Sequence, residues 1–134
     1  MSDCIFCGIN SHEIAAEMIY EDETAAAFLD IHPRAPGHTV VIPKQHAATL
    51  GELDVALLGP LFVAVQKIAR MVKDRLRADG LTIGINEGAV SGQTVEHFHV
   101  HILPRFVNDK GGSLHDVVNN PPRESLVEIA KKIR

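Results

Sequence analysis

The chain has 134 residues, of which 46% are hydrophobic and 22% charged, with 13 basic against 17 acidic side chains. That length suits one domain, residues 1–134, with a core of its own. The net charge of −4 argues against a general polyanion-binding surface and so against nucleic acid as the main partner, while a small anionic ligand at a locally positive site remains compatible.

The opening "MSDCIFCGIN" has no basic segment leading into an apolar run, and so no signal peptide is expected. No stretch approaches the ~18 uncharged apolar residues of a membrane span. A cytoplasmic location follows as an expectation, with Cys4 and Cys7 reduced unless they bind metal. "EMIYEDETAAAFLDI" predicts two strands, 17–20 and 24–31, joined by an acidic turn. "HPRAPG" is a turn, since two prolines and a glycine break any regular element. "HTVVIPK" is a β-branched strand over 38–44, ended by Pro43.

"PLFVAVQKIARMVKDRLRADG" then carries apolar residues at 61, 62, 65, 68, 69, 72 and 76, a helical period. Pro60 suits the first turn of this helix, which makes "LDVALL" a separate turn, and Gly80 ends it. "LTIGINEG" returns to strand, and the loop "AVSGQTV" leads into "EHFHVHILPR". Residues 107–122 are polar and rich in glycine and proline, which predicts a mobile loop; 123–134 predict a closing helix. Strands, one main helix and strands without βαβ alternation give an α+β class with a mostly antiparallel sheet.

On a strand, side chains alternate, so Phe98, Val100 and Ile102 face the core while His97, His99 and His101 face the other side. The outer two sit ~13 Å apart at Cα, too far to share one ion without a bend, so the three are expected to divide between tasks. Three readings compete: a polar sheet face, a catalytic zinc site, and a nucleophilic histidine with helpers. The "CIFC" pair has zinc-ligand spacing but needs two more ligands, with His12, His46, His97 and His115 as candidates. Two reduced, packed cysteines fit the spacing equally well, and a redox pair fits less well because no strand precedes it.

"GQTVEHFHVHILPR" resembles the signature of the histidine triad (HIT) family of nucleotide hydrolases and transferases, and "FLDIHPRAPGHTVVIPKQH" and "IGINEGAVSGQTV" resemble family segments in the same order. The likeness covers roughly residues 3–105. It implies the HIT fold: an antiparallel sheet of about five strands, one main helix, short terminal helices, and a twofold homodimer. It implies cleavage at the α-phosphorus of a purine nucleotide, with His99 as nucleophile and His101 and His38 neutralising phosphoryl charge. Gly92, Gln93 and Thr94 would hold phosphate oxygens, and the side chains of Gln93 and Thr94 would meet the leaving group. Asp30 would accept the ribose hydroxyls, Ile31 would face the base, and Asn86 would lie near phosphate and ribose; Phe6 and Phe28 either add apolar surface for the base or pack in the core, the stronger reading for both.

Family members with this N-terminal pair bind a structural zinc, and the matching ligands are Cys4, Cys7, His46 and His97. No acidic cluster suits magnesium, so no catalytic metal is expected. The implied substrates are nucleoside phosphoramidates or, alternatively, dinucleoside polyphosphates; a nucleotide-binding or interaction protein with little turnover is the reading from another class. The chain has no tryptophan, so the Trp-bearing C-terminus of one family branch, and its substrate preference, do not carry over.

Overall fold

The computed structural model describes residues 3–134. Five strands form one antiparallel sheet: β1 (Met18–Glu21), β2 (Ala25–Leu29), β3 (Thr39–Pro43), β4 (Gly80–Gly84) and β5 (Val100–Arg105), in the spatial order β1-β2-β3-β5-β4. Its helices are α1 (Ile5–Asn10), α2 (Val55–Leu76) and α3 (Leu126–Ile133), with single 3₁₀ turns at Leu50–Glu52, Ala89–Ser91 and Leu114–Asp116. The α+β class and the strand count match the expectation from sequence.

The sheet is covered on both faces. On one face Ala25, Ala27, Val41, Val100 and Ile102 pack with Phe98 against Leu61, Ala64, Val65, Ile68, Ala69 and Val72 of α2. On the other, Ala26, Phe28, Val40 and Ile42 pack against Phe6 and Ile9 of α1. This explains why β2 and β3 are apolar at successive positions and not alternating: each face has its own lid. By length and composition α2 could cross a membrane, but its buried stripe against the sheet marks it as the core helix.

The strand read from "LTIGINEG" stops at Gly84 and the one expected over 24–31 stops at Leu29, and both ends of α2 differ from the sequence reading. Residues 55–58 belong to α2, which runs through Pro60 without a break. Asp54 caps it, its carboxylate accepting from the N–H of Ala56 at 2.9 Å. Pro60 sits just beyond the first turn and forgoes a single bond, to the carbonyl of Ala56. The helix also ends before Gly80: Arg77 takes the left-handed conformation at φ 55° and closes the last turn, leaving Gly80 to begin β4. No local pattern predicts α1; only the family resemblance implies a short helix at that end. Six residues are too few to show a period, and isolated helices of that length do not hold together in water.

Beyond β5, the polar stretch that reads as a loop contains ordered hydrogen bonding. The Asp109 carboxylate accepts from Arg105 Nε at 2.8 Å and from the N–H groups of Phe106 and Gly111. Arg105 also reaches the carbonyl of Gly112 at 2.6 Å and the Thr82 hydroxyl at 3.0 Å. This Arg105 partnership holds the Asp109 carboxyl far below the usual carboxylate range. The closing helix runs from Ser125, which caps it in a reciprocal pair with Glu128.

Candidate active site and metal centre

Strand β5 lies between β3 and β4, and its register sets His101 opposite Val40 on one side and Gly84 on the other. His101 therefore shares the α1 face, as the alternation predicts. Ladder pairing with β3 begins only at Val100, opposite Val41. His97 and His99 precede the ladder yet keep the same alternation, because Phe98 is buried in the α2-side core at 1% exposure. The N–H of Phe98 donates to the carbonyl of Ala47 at 2.6 Å and extends the β3–β5 contact by one link.

The His99 ring is buried. Its Nδ1 lies 2.7 Å from the carbonyl oxygen of His97. A carbonyl only accepts, so Nδ1 carries the proton and Nε2 of the neutral ring holds a lone pair. The ring of His101 stands 4.9 Å away, centroid to centroid. Phe6 of α1 meets the His99 ring edge-on at 5.1 Å.

Behind His101 lies His38, itself buried. The main-chain N–H of Arg34 donates to His38 Nδ1 at 3.1 Å. His38 must then carry its proton on Nε2, which donates to His101 Nδ1 at 2.9 Å. That leaves His101 with its proton on Nε2. Burial and the neighbouring His99 and His38 push the His101 imidazole down to about 4, so it is neutral at pH 7, and burial lowers His38 likewise. Asp30 stands at the same corner, 3.5 Å from His38 Nε2, while its other oxygen accepts from the N–H of His32 at 2.8 Å. Asp30 and His38 line an open hollow of about 470 Å³, together with Leu29 and the turn residues Pro33 to Gly37. Neither His99 nor His101 lines it.

A second cluster joins the N-terminal arm to the sheet. Nδ1 of His97 lies 3.5 Å from Cys4 Sγ, 3.6 Å from Cys7 Sγ and 3.2 Å from His46 Nδ1, and Cys7 Sγ lies 3.3 Å from His46 Nδ1. The edges of a zinc tetrahedron, from bonds of 2.0–2.1 Å to nitrogen and 2.3 Å to sulfur, are about 3.4 Å (N–N) and about 3.6 Å (N–S). The observed separations match those edges. Nε2 of His97 faces the Pro43 carbonyl at 2.9 Å, so its proton is held there and Nδ1 presents a lone pair, the outer-shell bond common to metal-bound histidines. The four donors lie within 4.8 Å of one another and suggest a zinc site. The Asn10 amide donates to the Pro43 and Lys44 carbonyls at 3.2 and 3.3 Å, tying α1 to the end of β3.

The remaining sequence candidates are exposed or half-buried. Thr94 and Gly92 are exposed, and Gly92 takes φ +100° beside Asn86, whose amide would sit 3.8 Å from a Cβ added there. The Gln93 amide is engaged with main chain, accepting from Gly88 N–H and donating to the Ala48 and Val95 carbonyls. Ile31 is 83% exposed. Sequence reasoning missed three contributors: the Arg34 N–H that orients His38, the Pro43 carbonyl that orients His97, and the contact of Phe6 with His99. Only Phe6 left a trace in the sequence, as an aromatic residue between the two cysteines.

A five-stranded antiparallel sheet backed by one long helix, with histidines gathered on its central strands, is the framework of a histidine-triad protein. The chain belongs to the HIT domain family, whose profile matches residues 11–108, a family of nucleotide-binding proteins and hydrolases. It is 45% identical over 135 residues to an uncharacterised HIT-like protein of Methanocaldococcus jannaschii, covering 98% of both chains. Among solved structures, a Streptococcus mutans protein superposes with a TM-score of 0.85 at 38% identity, over 99% of this chain and 82% of that one. A Zn-bound histidine triad family protein of Mycobacterium smegmatis superposes with a TM-score of 0.77 at 39% identity, over 90% of this chain and 85% of that one.

Proposed function

We propose that this chain is a nucleotide hydrolase that cleaves purine nucleoside phosphoramidates at the α-phosphorus through a nucleotidyl-His99 intermediate. The observation that carries the reading is the pinned Nδ1–H of His99, which leaves Nε2 as a lone pair beside the N–H of His101. His99 Nε2 attacks phosphorus, and the bond to the amine leaving group breaks. The His101 Nε2–H donates a hydrogen bond to a phosphoryl oxygen as negative charge gathers, the amine departs with a proton taken from solvent, and the later attacking water returns one to solvent. Water then attacks the nucleotidyl-histidine, and the nucleoside monophosphate departs with His99 restored. His38 acts from behind, fixing the tautomer of His101. Asp30 accepts the ribose hydroxyls, Ile31 faces the base, and Asn86 with the Gly92–Thr94 loop borders the phosphate.

Cys4, Cys7, His46 and His97 hold a structural zinc in this reading, supported by the tetrahedral fit of their separations; the ion does not touch the reacting atoms. We further infer a homodimer formed through the edge strand β4 and α2, where Phe62, Leu76, Ile83 and Ile85 are exposed. The whole chain acts as one domain, in the cytoplasm. Dinucleoside polyphosphates fit the same chemistry, with a nucleotide in place of the amine as leaving group.

The test is intact-mass spectrometry of protein quenched in its first turnovers on adenosine phosphoramidate, with His99→Ala alongside. A transient adenylyl adduct, absent in the variant, is the expected result. Neither adduct nor released AMP would leave a nucleotide-binding protein without this activity.

A further inference from the structure

The His99 ring is held by the His97 carbonyl, next to a donor of the cluster, and by Phe6 of the arm that carries the cysteines. We propose that a metal ion bound by Cys4, Cys7, His46 and His97 sets the orientation of the nucleophile, with Phe6 as a positioning residue, so that occupancy of the centre governs the rate of the covalent step. This rests on the reading of His99 as nucleophile.

Residues 97–99 lie outside the ladder, since β3–β5 pairing starts at Val41 and Val100. The next main-chain link is the bond from Phe98 N–H to the Ala47 carbonyl. Each of its two ends adjoins a donor of the cluster, since His97 precedes Phe98 and His46 precedes Ala47. His97 is engaged at three points: Nδ1 in the cluster, Nε2 on Pro43, and its carbonyl on His99 Nδ1–H. A metal bond that fixes the His97 ring therefore fixes the carbonyl that selects the His99 tautomer.

The second connection runs through α1. This helix has six residues, and Cys4 caps its start, with the N–H of Cys7 donating to Cys4 Sγ at 3.4 Å. Phe6 lies between the two cysteines and contacts His97, His99 and Phe28 edge-on, at ring distances of 5.9, 5.1 and 5.4 Å. A helix this short holds its place through its anchors. Without the ion, α1 keeps Phe6, Ile9 and Asn10 as attachments but loses the metal bonds of Cys4 and Cys7 that flank Phe6 on either side.

Imidazole nitrogen spectra of the free protein near neutral pH test this without substrate. With zinc added, His99 is expected to show a single Nδ1–H tautomer. After chelation, with metal loss verified by elemental analysis and the amide signals of β2 and β3 unchanged, it should show averaged tautomers. Unchanged His99 signals in the metal-free protein would overturn the proposal. Should chelation unfold the chain, zinc-loaded Phe6→Leu takes its place. The expectation there is full zinc content, unchanged AMP affinity and adduct formation slowed about tenfold; a wild-type rate would refute the positioning role. An adduct that never forms on wild-type protein defeats the nucleophile reading instead, and leaves the spectral result standing as a structural one.

Discussion

Two clusters of histidines lie a few residues apart, and the direction of their hydrogen bonds separates them. In the Cys4, Cys7, His46, His97 cluster, the outer nitrogen of His97 is tied down by a carbonyl, so its lone pair converges with sulfur and a second ring nitrogen. In the Asp30, His38, His101 cluster the ligand atoms are as close together, yet Arg34 N–H occupies the acceptor of His38. His38 Nε2 is thereby a donor, and a cation there would have to displace a proton first. Proximity of nitrogen and oxygen atoms does not make a metal site. A main-chain donor on one ring and a main-chain acceptor on another give the two clusters different lone-pair directions, and of the two rings so tied only His97 turns its lone pair toward its cluster.

The comparison can be broken at either cluster. The largest effect is expected from His99→Ala, which removes the lone pair between them: single-turnover AMP release should fall by about 10³-fold or more in protein whose circular dichroism shows the fold retained. Next comes His38→Ala. If His38 instructs the tautomer of His101, kcat should drop by about 10–100-fold while AMP affinity, measured by calorimetry, stays within about twofold. A drop in affinity alone would place His38 on the ligand.

At the other cluster, Cys7→Ser should lose the bound zinc and lower the midpoint of thermal unfolding by roughly 5–10 °C, read by calorimetry beside metal analysis. The smallest effect concerns acid. His101 titrates at about 4 in the folded chain against the ordinary 6.5 of a solvated imidazole, so between these values the unfolded chain binds the extra proton. Stability should therefore fall as pH drops from 6.5 toward 4 and that contribution should level off below. The lowered His38 adds in the same direction. Thermal melts of His101→Gln across the interval should be flatter than wild type.

Much of this site was legible because its chemistry is local. The alternation of "EHFHVHILPR" assigns Phe98, Val100 and Ile102 to one face, and β5 obeys it even where pairing has ended. The meeting of His38 with His101 spans 63 positions and depends on how β3 lies against β5, which no local pattern encodes. Likewise α1 has too few residues for a period, and the Arg34 N–H and Pro43 carbonyl are main-chain groups that any residue would supply. At Pro60 the sequence rule failed for a physical reason: near a helix start the lost bond is a single one, and packing of Leu61, Ala64 and Val65 outweighs it.

Ala25, Ala26 and Ala27 of β2 are fully buried, alternately beneath α2 and α1. Three methyl groups in succession set the thickness of the molecule here. Ala26 has Phe6 and Ile9 in the cluster above it, so a bulkier side chain such as valine would act as a wedge under the short helix. A residue with no polar atom in its side chain, remote in sequence from every histidine, thus becomes one of the least replaceable. Drift in the chain would be filtered there by size alone, with the consequence felt at the ring of His99.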